Sequence, residues 1–331
     1  MSKIYNRREF IKKSTQLASG MALATSLPSL SVAGNTSSGK TSVSVIQSEQ
    51  LFTGKQLSQP VLINMLDEGL MQATGYDSPT KAWKSLFNKN DRVALKVNSI
   101  GKETGSTKPE LCYALAECLN RHVTIPPEQI IIFDRSDREL QKAGYRVNKS
   151  DKGIKAYASP GFTGTFKAGP FTTGVSRIIT QECTALINLP LMKTHRGALL
   201  TMNLKNHYGS IPQEVVQDSK LKFHSNGKFE NIVHVNSLSP IRDKTRLCIG
   251  DGIIAQYNAG PKGNPDYQWQ CGSLVIGTDP VAVDTIGLHI INAKRTEHNL
   301  EPHKVKYLEW AEEAGLGIHN PAAINIMHKK I

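Results

Sequence analysis

The run L-M-K-T-H-R-G-A-L-L-T-M-N-L-K-N-H-Y-G-S that follows Pro190 carries Lys193, His195, Asn203, Lys205, Asn206 and His207. Lys193 and His195 alternate about Thr194, so an extended backbone points both to one side. Asn203, Asn206 and His207 stand at i, i+3 and i+4, one face of a helical turn. Lys and His serve as general acids and bases, and His also ligates metals. Each residue also has an ordinary reading. A Lys or His near a strand end is usually a solvated surface group, and Asn caps helices and turns. Lys205 stands out because Leu199, Leu200, Met202 and Leu204 surround it, which predicts partial burial, and a buried Lys needs a partner.

Two carboxylates belong with this cluster. Asp251 follows the apolar run Arg246–Gly250, which reads as a strand. Asp284 shares a helix face with Leu288 and Ile291 in an almost wholly apolar segment, so it must meet a cation, a donor or a metal. Its ordinary alternative is a buried salt bridge to Lys193 or Lys205. Lys193, His195, Lys205 and Asp284 are therefore the candidate catalytic residues. His195, His207, Asp251 and Asp284 form a candidate donor set for a divalent metal, since His with carboxylate suits Zn, Ni, Fe or Mn. Lys96, Asn98 and Asn206 are candidates for holding a cofactor or anionic ligand.

Strands and helices alternate so as to position these groups. Ser42–Ile46 reads as a strand, and Gln59–Met71 carries a helical apolar stripe. Arg92–Val97 is a strand leading to Asn98 and the loop Ser99–Thr107. A helix then runs from Lys108 to about Arg121, with Thr107 as its N-cap and Pro109 in its first turn. Ile130–Phe133 is the next strand, which completes a βαβ unit and implies parallel pairing. Ala185–Leu189 is a buried strand ended by Pro190, and Glu230–Leu238 a helix. Ser273–Gly277 is a strand, followed by a helix from Pro280 to Ile291 capped by Asp279. The fold class is α/β, a mostly parallel sheet with flanking helices, in which two Rossmann-like lobes around a central cleft is one arrangement. In such sheets ligands bind beyond the carboxyl ends of the strands, where the cluster falls. Gly101 and Gly105 suit a phosphate loop, but their spacing fits neither the P-loop nor the dinucleotide fingerprint. Residues 145–180 show no clean period and read as an insertion or a small β-rich lobe. The loop 259–265 is built of turn residues and reads as a surface loop or a lid over the site.

Composition narrows the function classes. The 331 residues carry a formal charge of +12. Lys3, Arg7, Arg8, Lys12 and Lys13 outweigh Glu9 by four, so the chain beyond residue 33 keeps +8. That balance favours an anionic substrate or an anionic surface. Aromatic residues are few and no recognition module is present, which argues against nucleic acid. The five cysteines contain no C-x-x-C pair, so an iron-sulfur cluster held by this chain is not expected.

At the N-terminus, Asn6-Arg7-Arg8-Glu9-Phe10-Ile11-Lys12 resembles the twin-arginine export motif. A mildly apolar run from Leu17 to Leu27 follows, then Ser31-Val32-Ala33, whose small residues suit signal peptidase. The apolar run is too short to span a membrane, and no later stretch is long enough. The expected organisation is a signal peptide at 1–33, a flexible linker at 34–41, an α/β domain at 42–315 and a tail at 316–331. The twin-arginine translocase would be its export partner. The mature protein, with no transmembrane segment, would be periplasmic or otherwise extracytoplasmic.

One family shares these features in order. Lys96-Val97-Asn98, Thr107-Lys108-Pro109-Glu110, Asn188-Leu189-Pro190 with Lys193-Thr194-His195, Leu204-Lys205-Asn206 with Tyr208-Gly209, Asp251-Gly252, Gly260-Pro261 and Asp279-Pro280-Val281-Ala282-Val283-Asp284 resemble the bacterial and archaeal family called domain of unknown function 362. The resemblance implies an α/β fold and carries no reaction with it. Many members have ferredoxin-type Cys motifs, which this chain lacks. A distant likeness to nickel-pincer lactate racemases concerns architecture alone. Two function classes follow: an exported metal- or cofactor-dependent enzyme acting on a small anion, or an exported binding or accessory protein docking to redox or membrane complexes.

Overall fold

The computed structural model describes residues 41–331 except 55, 222 and 224–228. The expected signal peptide and the linker through residue 40 lie outside the described residues.

Among the described residues, eleven strands form one continuous sheet. Its main path runs β15 (Ile324–Lys330), β1 (Thr41–Gln47), β14 (Ser273–Gly277), β12 (Thr245–Gln256), β9 (Ala185–Leu189), β4 (Val93–Val97), β5 (Ile130–Phe133) and β6 (Lys155–Ala156). Strands β10 (Leu191–His195), β11 (Leu199–Thr201) and β13 (Gln268–Trp269) attach beside β12, while β2 (Phe52–Thr53) with β3 (Gln56–Leu57) and β7 (Phe162–Ala168) with β8 (Phe171–Ser176) form two separate antiparallel pairs. Along the main path every pairing is parallel except the two made by β14. A mixed α/β fold with a mostly parallel sheet is what the alternating pattern predicts. A division into two lobes is not seen among the described residues.

Strands β4, β5 and β9 are buried at every position, as parallel strands covered on both faces must be. One apolar layer packs the helices Gln59–Thr74, Pro79–Leu86 and Pro109–Val123 on the sheet through Leu62, Met65, Trp83 and Leu115. The opposite layer contains Leu204, Ile232, Val283, Leu288 and Leu308. From β4 the chain moves outward to β5 and β6, then returns to place β9 on the other side of β4. The order therefore reverses between β4 and β9, and a crevice opens beyond their carboxyl ends.

Several boundaries differ from the sequence expectation. Strand β12 does not stop at Gly250 but runs through Asp251 to Gln256, because Pro190 ends β9 and β10 takes over the pairing, with Leu191 opposite Asp251. The helix after Asp279 continues to Glu297. Thr107 is not a cap: its hydroxyl donates to the Leu189 carbonyl at 2.7 Å and receives the Asn98 N–H, tying β4 to β9. Within 145–180 lies the expected β-rich piece, the hairpin of Phe162–Ala168 with Phe171–Ser176. Within the expected C-terminal tail, β15 pairs in parallel with β1 along Thr41–Gln47.

Candidate functional site

Lys96 sits on a strand buried throughout and is 1% exposed. Its three ammonium protons meet three acceptors: Asp134 Oδ1 at 2.8 Å, the Val97 carbonyl at 2.7 Å and Asn206 Oδ1 at 3.2 Å. Asp134 also accepts the backbone N–H and hydroxyl of Ser99 at 2.8 and 2.7 Å. Burial opposes its ionisation, yet the Lys96 ammonium and the Ser99 donors outweigh that and hold the carboxyl below its ordinary value. Gly209 completes the packing, because a Cβ there would lie 2.7 Å from Asp134 Oδ1 and 3.0 Å from Lys96 Nζ.

The network continues without a break. Asn206 donates from Nδ2 to the Lys96 carbonyl and to Asn188 Oδ1, and Asn188 donates to the Asn203 carbonyl at 2.8 Å. Asn188 Nδ2 also faces His207 Nε2 at 3.0 Å, while His207 Nδ1 faces Ser210 Oγ at 3.0 Å. Asn188 Nδ2 is a donor, so His207 Nε2 accepts and its proton sits on Nδ1. Burial, helped by the Lys96 charge, lowers the His207 pKa to about 3 and keeps it neutral.

A cleft of about 620 Å³ opens on this network. Lys96, Asn98, Arg135, His195, Lys205 and Tyr208 are among its walls, with Ile100 and Pro261 adding apolar surface. The Lys205 ammonium lies 4.0 Å from the centre of the Tyr208 ring and has no carboxylate partner among the described residues. Burial, with the charges of Arg135 and Lys193, lowers its pKa to about 7. Arg135 is held by Glu139 and by Gln213 at 3.0 Å. Arg196 is exposed at the cleft and has no carboxylate partner among the described residues. Asn98 is 4% exposed, and its side-chain amide makes no hydrogen bond among the described residues. The cleft thus offers hydrogen-bond donors and cations in excess of acceptors.

His195 has a defined tautomer. Its Nδ1 accepts the backbone N–H groups of Gly197 at 3.1 Å and Ala198 at 3.0 Å. The neutral ring therefore carries its proton on Nε2 and acts there as a donor. A metal at Nε2 would require loss of that last ring proton, whereas ligating histidines normally donate from their other nitrogen.

Of the sequence candidates, Lys96, Asn98, His195, Lys205 and Asn206 meet at the cleft. The other four, His207 as described above with Lys193, Asp251 and Asp284, have separate duties. Lys193 is fully buried and donates to the Gly105 carbonyl at 2.6 Å, and burial lowers its pKa to about 7 against the opposing charge of Asp134. Asp251 accepts the N–H of Lys108 and of Ile253, both at 3.0 Å, and burial raises it to about 6. Asp284 accepts the N–H of Asn203 and Leu204 and the Asn203 side-chain amide, and burial raises it to about 7 against these three donors. The salt bridge to Lys193 or Lys205 is not formed; backbone donors satisfy the carboxylate instead. His195, His207, Asp251 and Asp284 thus each make other contacts and are not brought together as one group, and no group of three or more possible metal-ligating side chains is found among the described residues. All five cysteines are buried free thiols.

The glycine loop is occupied with its own contacts. Ser99 N–H goes to Asp134, Gly105 N–H to the Gly101 carbonyl and Thr107 N–H to the Asn98 carbonyl. Gly105 backs onto Gly263, where an added Cβ would meet the Gly263 Cα at 2.5 Å. Loop 259–265 in turn lies on β10, with Arg196 N–H donating to the Gly260 carbonyl at 3.0 Å. Asp134 and Arg135 were not singled out from the sequence, and Tyr208 entered only as part of the family resemblance. The available signal for the first two was their position just after β5, at the carboxyl edge of the sheet.

The fold and cleft define an α/β protein with a cation-rich crevice at the topological switch point of its sheet. The family model described as Domain of unknown function (DUF362) matches residues 93–289, more than half of the chain, and the chain belongs to that family. No significant match is found among curated proteins. A crystal structure of a protein from Thermotoga maritima, a structural genomics target, is similar at 12% identity and a TM-score of 0.33, covering 75% of this chain. The chain spans 61% of the length of that protein.

Proposed function

We propose that this is an exported enzyme that binds a small organic anion in the cleft and performs acid–base chemistry on it. One observation carries the reading: Lys205 is an amine on the cleft wall, shielded from water, with no ion-pair partner among the described residues. An amine with a pKa near 7 is half unprotonated at neutral pH and serves as a general base. His195 Nε2–H, Arg196 and the Asn98 amide are the donors that would hold the anion and the charge developing on it. Lys96 neutralises Asp134 and orients Asn206, a positioning task. Export rests on the Arg7-Arg8 motif and the run after it.

The test is binding followed by turnover. Acetate, inorganic phosphate and a panel of 2-hydroxy, 2-oxo and 2-amino acids are screened for a rise in Tm. The stabilising compounds are then followed for solvent-deuterium incorporation. Exchange that is lost in Lys205→Met, with Tm shifts retained, supports the enzyme. Tm shifts without exchange in the wild type would leave a binding protein, and no shift with any anion would defeat the reading.

A further inference from the structure

We propose that Lys205 is a nucleophile that condenses with the carbonyl group of a small oxo acid to form an imine in the cleft. This rests on the reading that the cleft takes an organic anion, and it names the functional group beside the charge.

The three lysines of the central network differ in what their nitrogens can do. Lys96 Nζ spends all three protons on Asp134, Val97 and Asn206, so its lone pair is never free. Lys193 is fully buried, bonded to the Gly105 carbonyl, and is not among the cleft walls. Lys205 Nζ faces the cleft across the Tyr208 ring and donates to no oxygen among the described residues. Its backbone is pinned on both sides. Asp284 holds the N–H of Asn203 and Leu204, Asn236 Nδ2 donates to the Leu204 carbonyl at 2.7 Å, and the Asn206 amide is fixed by Lys96 and Asn188. A nitrogen so placed meets the demand on an amine nucleophile, which is an accessible lone pair in a dry pocket beside other cations.

The same walls select the partner. Arg196 and the Asn98 amide attract a carboxylate, and in a 2-oxo acid the carbonyl carbon is bonded directly to the carboxylate carbon. Holding the anion therefore brings the electrophile to the amine. In the step, the Lys205 lone pair forms the N–C bond while the carbonyl π pair moves to oxygen. One amine proton transfers to that oxygen, and loss of the hydroxyl with the second amine proton releases one water and leaves N=C. His195 Nε2–H stabilises the oxygen by hydrogen bonding and keeps its own proton. Neither oxidant nor reductant is consumed.

The experiment traps the imine. The full chain is incubated with pyruvate and sodium cyanoborohydride near pH 7.5, and reduced adducts are located by peptide mass mapping, with acetone as an uncharged carbonyl control. The larger share of free amine predicts labelling of Lys205 about a hundredfold faster than exposed lysines. Acetone should label it more slowly than pyruvate, and excess acetate should slow the pyruvate reaction. Lys193→Arg should leave the adduct in place. Labelling of Lys205 no faster than surface lysines, or labelling of Lys193 in its stead, overturns the proposal, and the wild-type map decides this even if Lys205 variants fold poorly. Tm shifts with acetate and pyruvate separate the two failures. Shifts without an adduct remove the nucleophile and leave the anion site, whereas neither shift nor adduct removes both.

Discussion

Asp284 and Asn203 are joined twice: Oδ1 of the carboxylate accepts the Asn203 backbone N–H at 2.7 Å and its side-chain amide at 2.9 Å. Oδ2 takes the next N–H, that of Leu204, at 3.0 Å. A residue from the long helix Pro280–Glu297 thus caps the short helix that carries Lys205. Asp284→Asn would set an amide NH₂ against an N–H donor. We expect a loss of about 1–3 kcal/mol, measured by chemical denaturation. We also expect weaker anion binding, since the short helix shifts.

Lys96→Met should be more damaging. It leaves the Asp134 carboxylate buried without its cation, which costs about 3–5 kcal/mol. The double variant Lys96→Met with Asp134→Asn should regain part of that loss, because the buried charge is gone. Equal stability of the single and double variants would show that the pair is not coupled.

Stability should rise with pH above neutrality. Lys193 and Lys205 titrate near 7 in the folded chain against 10.5 when solvated. Between those values the unfolded chain holds more protons, so raising the pH favours folding by up to about 1.4 kcal/mol per pH unit for each lysine. Burial raises the thiols of Cys112, Cys118, Cys183 and Cys248, so thiol ionisation in the unfolded chain opposes the lysines and ends the window near about 8.5. Denaturation from pH 7 to 8 should show the rise, and Lys205→Met should flatten it by about half or more.

Gly105→Ala should separate two loops. Its methyl would stand 2.5 Å from the Gly263 Cα, backbone against backbone, so relief by side-chain rotation is closed off. The expected cost is about 1–3 kcal/mol. Hydrogen exchange should quicken at residues 99–107 and 258–265 while the strands stay protected.

Export has its own test. Arg7→Lys with Arg8→Lys should leave uncleaved precursor in the cytoplasm, read by fractionation and blotting. Normal secretion of that double variant would reject the twin-arginine route.

The period and order of apolar runs determined much of the fold. Val93–Val97, Ile130–Phe133 and Ala185–Leu189 are legible as buried strands because parallel strands covered on both faces must be apolar throughout, and the helix between the first two compels parallel pairing. Asp279-Pro280 marked a helix start for the same local reason, as cap and fixed φ act within one turn. Lys96, Asn98, His195, Lys205 and Asn206 were legible as a group, since strand ends in such a sheet converge. Partners were not. Whether a buried Lys meets a carboxylate, a carbonyl or an open cleft depends on chains distant in sequence, and Lys96, Lys193 and Lys205 took one each. Sequence spacing could not separate Asp284 as a helix cap from Asp284 as an ion-pair partner, because both satisfy the same buried charge. Nor could it foresee β15, whose place beside β1 is secured by pairing across nearly the whole chain. Local periodicity is a property of a few adjacent residues, whereas hydrogen-bond partnership in the core is settled by which segments the tertiary fold brings within 3 Å or so.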